Sequence, residues 1–210
     1  MQKFNNSDGE KFLQSLESES VDLILTDPPY NISRDNNFKT MGRSGIDFGE
    51  WDKDFDVLSW LKEAFRVTKK GGSLIFFHDW KNIGEMTKYS ESLGYEVKDM
   101  IRWRKTNPMP RNRDRRYITD YETAVWLVKP KGKWTFNRLS ETYDRPELEY
   151  ASPNGKKRFH PTQKPVELLE ELILRHTNPN DLIIDPFAGS CSLAIASQKL
   201  NRNFIVNDID

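Results

Sequence analysis

Four consecutive residues, Asp27-Pro28-Pro29-Tyr30, form the part of the sequence best suited to chemistry. The apolar run before them, Val21–Thr26, predicts a buried strand, so the turn stands at a carboxyl end, where open α/β sheets bind ligands. Two prolines remove two backbone donors and stiffen the turn, which leaves the Pro28 carbonyl and the Asp27 carboxylate as fixed acceptors. Such a turn can accept both hydrogens of an exocyclic amino group while Tyr30 stacks on the attached ring. The alternative is an acidic strand-end turn with an ordinary tyrosine.

A second turn, Asp185-Pro186-Phe187-Ala188-Gly189-Ser190, lies between a strand-like run and a helical pattern. Small residues there allow backbone N–H groups and a helix N-terminus to approach the polar end of a ligand. Asp208 ends the next apolar run, where a carboxylate holds a ribose diol in nucleotide-type sites. The sequence lacks the later glycines of the dinucleotide fingerprint and a GxxxxGK[ST] loop, which disfavours NAD and a nucleoside triphosphate. The alternative is an ordinary strand–helix turn and a solvated chain end.

A basic stretch with interleaved aromatic residues occupies the middle of the chain. Guanidinium groups pair with phosphates, and arginine and asparagine side chains can read purine edges, so the stretch is a candidate nucleic-acid surface. The residues that we select for this role are Arg102, Arg104, Lys105, Asn107, Arg111, Arg113, Arg115, Arg116, Lys131 and Lys133. The alternative is a solvated basic face.

Composition limits the class of protein. The chain has 210 residues with 32 basic and 32 acidic side chains, yet residues 102–164 hold 16 basic and 7 acidic ones, so one sector can face a polyanion. No apolar run approaches the ~18 residues of a membrane helix, and the N-terminus has no signal-peptide core. The single cysteine excludes an intrachain disulfide, and the three histidines are not spaced as zinc ligands. We therefore expect a soluble cytoplasmic protein with no metal site and no membrane partner.

The elements that must position these residues predict an α/β fold. Runs typical of strands are Val21–Thr26, Ser73–Phe77, Glu122–Val128, Asp181–Asp185 and Phe204–Asp208. Helical periodicity covers Phe55–Val67, Pro165–His176 and Leu193–Leu200. Their alternation predicts an open, mostly parallel twisted sheet with helices on both faces. The polar stretch Lys129–Phe159 predicts a surface insertion or flexible loop, and Arg34–Asp47 predicts a second polar loop.

The two turns, in this order, resemble the DNA amino-methyltransferases of the β arrangement, in which a DPPY block comes first and the cofactor-binding FxGxG block comes last. A third block of that family matches at His160-Pro161-Thr162-Gln163-Lys164-Pro165, and Asn107–Asn112 followed by Arg115-Arg116-Tyr117 resembles adenine-specific members. The resemblance covers nearly the whole chain. It implies a Rossmann-like fold of the S-adenosylmethionine-dependent methyltransferases with a circularly permuted motif order. It also implies a catalytic domain of residues 1–129 and 160–210 and a target-recognition insertion of residues 130–159.

The resemblance further implies an activity: transfer of a methyl group from S-adenosylmethionine to the N6 amine of adenine in a specific double-stranded DNA sequence, by base flipping and direct transfer. The catalytic turn would be Asp27, Pro28, Pro29 and Tyr30. The cofactor-binding residues would be Asp8, Asp27, Thr162, Lys164, Asp185, Phe187, Gly189, Ser190 and Asp208. The implied setting is the cytoplasm of a prokaryote, or a phage-encoded enzyme, with a homodimer or a restriction-system partner both left open.

Two features depart from the family pattern and keep alternatives open. Cys191 stands where the family carries a second glycine, and we expect its Cβ to crowd the backbone against the cofactor. The chain also ends two residues after Asp208, where family members carry one more amphipathic helix. The alternatives are methylation of cytosine N4 and a non-catalytic DNA-binding partner subunit. Aspartate in the first position of the DPPY block favours adenine, because serine there is commoner among cytosine N4 enzymes, and the block order argues against RNA.

Overall fold

The computed structural model describes residues 1–30, 55–110, 112–154 and 163–209 as one sheet with flanking helices. The strands are β1 (Gln2–Asn6), β2 (Val21–Thr26), β3 (Thr68–His78), β4 (Glu96–Lys105), β5 (Tyr121–Val128), β6 (Glu147–Tyr150), β7 (Leu182–Asp185) and β8 (Asn203–Asp208). The helices are α1 (Gly9–Gln14), α2 (Leu61–Val67), α3 (Ile83–Leu93), α4 (Val166–His176) and α5 (Ser192–Lys199). Within the described ranges, no helix has the length and apolar character that crossing a membrane requires.

The sheet is mostly parallel, as predicted. Among the described residues, the strand order is β1-β8-β7-β2-β3-β5-β4-β6, and only the pairs that β5 makes with β3 and β4 are antiparallel. The chain leaves β2 toward β3 on one side and returns through β7 and β8 on the other. This reversal opens a crevice at the carboxyl ends of β2 and β7, which is where open α/β sheets bind ligands.

Helices cover both faces, also as predicted. On one face, alternate strand residues such as Leu25 and Phe77 pack against the apolar sides of α4 and α5. On the other face, their neighbours Ile24 and Phe76 pack against α1, α2 and α3. This period-two alternation within buried strands places each strand-end side chain on a defined face of the sheet.

The sequence prediction missed β1, α1, α3, β4 and β6 and gave α2 too early a start. Strand β4 is exposed along most of one face and carries charged residues there, so it lacks the apolar run of a buried strand. The predicted loop Lys129–Phe159 contains β6, which pairs in parallel with β4. Its Asn137 side chain also donates to the carbonyls of Leu174 and Thr177 at the end of α4, both at 2.9 Å. The predicted loop Arg34–Asp47 lies outside the described residues.

Candidate active site

The Asp27 turn leaves the carboxyl end of β2 and is fixed by hydrogen bonds on several sides. The Tyr30 hydroxyl donates to Asp27 Oδ1 at 2.5 Å. The Tyr30 ring packs on the imidazole of His78, with centroids 4.6 Å apart, and His78 Nε2 lies 3.2 Å from the Pro29 carbonyl oxygen. Asn82 Nδ2 donates to the Tyr30 carbonyl at 3.2 Å. The turn therefore presents its carboxylate from a rigid support.

Lys164 binds the same carboxylate from the opposite side. Its Nζ donates to Asp27 Oδ2, and it lies 3.0 Å from Glu122 Oε2 on β5. The Lys164 side chain is 8% exposed. Lys105, at the end of β4, pairs with the other oxygen of Glu122 at 2.6 Å. Asp27, Lys164, Glu122 and Lys105 thus form a row of alternating charge, which we call the charge row.

Burial and neighbouring charges set the ionisation of the charge row. Burial raises the pKa of Asp27, and the Lys164 ammonium acts in the opposite direction. Burial alone would lower the pKa of Lys164, but Asp27 and Glu122 more than offset it, so the pKa is raised. Burial would raise the pKa of Glu122, yet Lys164 and Lys105 hold it below its usual value. Lys164 therefore stays protonated and Glu122 stays ionised near neutral pH.

A cavity of about 330 Å³ lies beside the charge row, across the carboxyl ends of β2, β7 and β8. Phe77, Leu169 and Leu193 form apolar parts of its wall. The predicted site residues in its wall are Asp8, Asp27, Pro29, Lys164, Asp185, Phe187, Gly189, Ser190 and Asp208. The structure thus brings together the three separate parts of the chain that the sequence selected. Thr162 and Arg111 lie outside the described residues.

The second turn forms the floor of this cavity. Asp185 Oδ1 accepts from the Thr26 hydroxyl at 2.6 Å and from the Phe187 N–H at 3.0 Å. Asp208 Oδ2 accepts from the Gly189 N–H at 2.6 Å, which ties the end of β8 to the turn. Burial raises the pKa of Asp185 to about 7, so this carboxyl changes charge near neutral pH.

Phe187 is held in the cavity wall by close aromatic packing. Its ring makes edge contacts with Phe55 and Trp60, with centroids 5.5 and 5.6 Å apart. On another side it lies against Gly9 at the start of α1, where an added Cβ would meet Phe187 Cε1 at 2.4 Å. A glycine is therefore required at this position for the ring to occupy its place.

Cys191 lies just outside the cavity wall. It precedes α5 with φ of +57°, a left-handed conformation that suits glycine better. Its side chain is half-buried against the α4–α5 face, and burial raises the pKa of its thiol. Cys191 is not among the residues that line the cavity, which argues against the crowding expected from its Cβ.

The residues of the basic stretch separate into three groups. Arg102, Arg113, Arg115 and Arg116 are exposed on the strand and loop that leave the sheet at the cavity edge, and Arg102 lies over the Tyr121 ring. Arg104 pairs with Glu149 at 2.5 Å, Lys105 belongs to the charge row, and the Asn107 amide pairs with the backbone of Ser152. Lys131 and Lys133 lie beside Gly71 at the amino end of β3, on the opposite edge of the sheet.

Two residues of the site, Glu122 and His78, were not predicted from the sequence. Glu122 appeared only as the first residue of the run Glu122–Val128, and His78 only among the histidines that are not spaced as zinc ligands. Both lie at the edge of the sheet where β2 ends, because β3 runs parallel to β2 and ends there, whereas β5 is antiparallel and starts there. A carboxylate next to the apolar run of β5 was the available signal for Glu122, since buried carboxylates are found with partners.

An elongated polar ligand fits this site. From β8 to β2 the cavity crosses two strand spacings, about 10 Å, with carboxylates of Asp208, Asp185 and Asp27 at successive strand ends. Asp208 can accept from a diol, while Phe187 and Phe77 can pack on flat or apolar groups. The three carboxylates favour a ligand that carries positive charge along its length.

Comparison with known proteins places this arrangement among DNA-modifying enzymes. A family model described as DNA methylase matches residues 21–210. The type II methyltransferase M.HinfI of Haemophilus influenzae is 33% identical over 92% of this chain, which spans 60% of that protein. The type II methyltransferase M2.DpnII of Streptococcus pneumoniae is 32% identical over 98% of this chain and 84% of its own length. The crystal structure of an M1.HpyAVI–SAM complex superposes with a TM-score of 0.80 at 37% identity, covering all of this chain and 94% of that one.

Proposed function

This chain belongs to the DNA methylase family, and we propose that it transfers a methyl group from S-adenosylmethionine to the N6 amine of adenine in double-stranded DNA. The observation that carries the proposal is the position of Asp27. Its carboxylate lies in the wall of the cavity formed by the second turn, so an amino group bound there faces whatever occupies the cavity. Because this chain spans only 60% of the length of M.HinfI, the complete activity and its DNA substrate are both part of the proposal.

S-adenosylmethionine fits the residues that line the cavity. Asp208, at the end of β8, would accept hydrogen bonds from its ribose hydroxyls. Asp8, which follows the neighbouring strand β1, would approach its adenine, and Phe187 would pack on its apolar surface. Gly189 and Ser190 would line the methionine end. When bound, this cofactor supplies a methyl group on a positively charged sulfur, which the nearby carboxylates favour electrostatically.

The residues of this chain position the target amine and supply the negative charge that polarises it. Asp27 and the Pro28 carbonyl would accept the two hydrogens of the target amine, which makes its nitrogen lone pair available for direct transfer. The target base must leave the DNA stack to reach this point, and Tyr30 would stack on its ring. The raised pKa of the Cys191 thiol and its position outside the cavity wall give no support to a covalent route through cysteine.

The DNA surface that we infer comprises Arg102, Arg113, Arg115 and Arg116. All four are exposed at the edge of the sheet where the cavity opens, so their charges can hold the phosphates around the target base. Within segment 130–159, we assign to target recognition the part around β6, which lies beside β4, while Lys131 and Lys133 at its start lie at the opposite edge of the sheet. Two relatives are type II methyltransferases, which favours a type II restriction–modification setting.

The test is methyl transfer from labelled S-adenosylmethionine to unmethylated duplex DNA, followed by digestion to nucleosides. We expect label in N6-methyldeoxyadenosine, and we expect Asp27→Asn to lose transfer while it still binds the cofactor. Asp99→Asn is the matched control, because Asp99 is an exposed aspartate on β4. Label in N4-methyldeoxycytidine would mean that the target base is cytosine and not adenine. A folded protein that binds DNA and transfers no label would favour a non-catalytic partner subunit.

The DNA surface has its own control within the same chain. Arg113→Ala should weaken DNA binding and reduce its salt dependence, because a phosphate contact releases counterions. Lys131→Ala with Lys133→Ala removes two exposed charges from the opposite edge of the sheet and should leave DNA affinity unchanged. Equal effects of the two changes would contradict the placement of the DNA surface.

A further inference from the structure

The charge row contains a carboxylate that the proposed reaction does not use. Glu122 is on β5, with its side chain 26% exposed, and it faces Lys164 rather than the cavity. Its Oε2 is buried and lies 3.0 Å from Lys164 Nζ, yet no well-aligned hydrogen bond reaches this oxygen from any described residue. The Lys164 ammonium instead points to Asp27. Glu122 therefore offers a second, incompletely used acceptor to the same ammonium.

Both oxygens of the Asp27 carboxylate already accept hydrogen bonds. Tyr30 donates to Oδ1 and Lys164 donates to Oδ2. An amino group of a base is a neutral, weak donor, and an ammonium on the same carboxylate draws away the negative charge that should polarise it. For the amine to bind well, the ammonium must lie farther from Asp27. A buried ammonium can move only if another acceptor takes it, since losing its partner would be costly.

We propose that Glu122 is a positioning residue that holds the Lys164 ammonium and takes it over when the target amino group binds to Asp27. This inference rests on the proposed function, because it concerns the same amine and the same carboxylate. In this change the Lys164 ammonium transfers its hydrogen bond from Asp27 Oδ2 to Glu122 Oε2, and no covalent bond breaks. It leaves Asp27 with full negative charge at the moment when the methylated nitrogen becomes positive, before that nitrogen releases its proton.

The groups that face Lys164 come from several elements. They are Asp27 and Tyr30 in the turn after β2, Glu122 on β5, Lys105 on β4 through Glu122, and the Phe77 ring at the end of β3. His78 lies beyond Tyr30, and Asp185 acts on Asp27 from β7. Glu122 raises the pKa of Asp27, and Lys164 lowers it. Removing the charge of Glu122 takes away the first effect and leaves the ammonium with Asp27 alone, so both changes lower the pKa of Asp27.

The test is the pair of variants Glu122→Gln and Lys105→Gln, which should act with opposite sign. Glu122→Gln leaves the ammonium with Asp27 alone, so kcat at saturating DNA should fall about tenfold or more. The acid limb of its pH profile should move to lower pH, because the pKa of Asp27 falls. Lys105→Gln frees Glu122 for Lys164, so its acid limb should move to higher pH. Binding of S-adenosylmethionine should change less than threefold in both.

Three controls separate this role from a structural one. Glu170→Gln removes a carboxylate from the ion pair with Lys199, where the Glu170 side chain is 24% exposed against 26% for Glu122, and should leave kcat and the acid limb unchanged. Glu122→Asp should recover part of the lost kcat, since it restores the charge. Carboxyl NMR of Asp27 in the protein without substrates gives a reading that needs no activity, and Glu122→Gln should lower its pKa while Lys105→Gln raises it.

The outcomes distinguish this inference from the proposed function. A wild-type protein that transfers no methyl group refutes the proposed function, whatever the NMR titration gives. An active wild-type protein whose Glu122→Gln variant keeps the wild-type kcat, acid limb and Asp27 pKa overturns this inference alone. A fall in kcat with an unmoved acid limb and an unmoved Asp27 pKa would mean that Glu122 only supports the fold, and would overturn it as well.

Discussion

Replacing Lys164 by methionine tests the charge row through stability, without any substrate. The methionine side chain keeps most of the apolar stem and removes the ammonium, whose Nζ lies 5.0 Å from the centre of the Phe77 ring. Asp27 and Glu122 are then left as two carboxylates around a buried position that no longer holds a cation. Breaking a buried ion pair by removing one partner costs about 3–5 kcal/mol of unfolding free energy.

The size of this loss should depend on pH. If the change raises the folded-state pKa of one carboxylate by about 3 above its unfolded value near 4, the loss at pH 8 is about 4 kcal/mol, because one pKa unit is worth about 1.4 kcal/mol. An acid whose folded pKa is raised loses stability as the pH rises from its unfolded to its folded pKa. At pH 5 the folded protein can bind the proton, and about 1.5 kcal/mol of the loss remains. The loss should therefore shrink on acidification.

The assay is urea-induced unfolding of the wild type and Lys164→Met at pH 5 and pH 8. Adding Glu122→Gln to Lys164→Met removes the second carboxylate and should recover about 1–2 kcal/mol at pH 8. Lys129→Met is the matched control, because Lys129 is also a buried lysine but pairs with Glu19, which is half-exposed. Its loss should be the same at both pH values. A loss below about 1 kcal/mol at pH 8, or one equal at pH 5 and pH 8, refutes the reasoning.

Three further changes probe the cavity. Since the pKa of Asp185 is raised to about 7, a sulfonium ligand that requires its ionised form should bind about tenfold tighter at pH 8 than at pH 6 by calorimetry, and Asp185→Asn should remove this dependence. Gly9→Ala should displace Phe187 and weaken cofactor binding more than tenfold, with a loss of about 1–3 kcal/mol in unfolding free energy; unchanged affinity would contradict the packing. Cys191→Gly should raise the unfolding free energy by about 0.5–1 kcal/mol without changing cofactor affinity, and Cys191→Ala, which keeps a Cβ at φ of +57°, should not.

The sequence alone predicted the class of fold, the two turns that meet at the cavity, and the family. Buried parallel strands leave continuous apolar runs, so Val21–Thr26 could be recognised without knowing its neighbours. Turn chemistry is local as well, and it placed Asp27 and Asp185 at strand ends. Because the carboxyl ends of parallel strands share one edge, the meeting of these two carboxylates in one cavity was already implied. The match of the family model confirms the resemblance to DNA methylases, and the finer assignment to the β arrangement stays a prediction.

The tertiary structure decided which charged residues work together. Lys164 was assigned to the cofactor by resemblance, and it also binds Asp27, 137 residues away in the chain. Glu122 and Lys105 reach the same point because β5 and β4 are antiparallel neighbours, which the sequence did not reveal. Because β5 runs antiparallel to β3 and β4, Lys131, which follows the end of β5, lies at the far edge of the sheet. In the chain, however, Lys131 follows the basic stretch closely. Local patterns report burial and turns, whereas contacts between distant charges depend on strand order and register, which only the folded sheet determines.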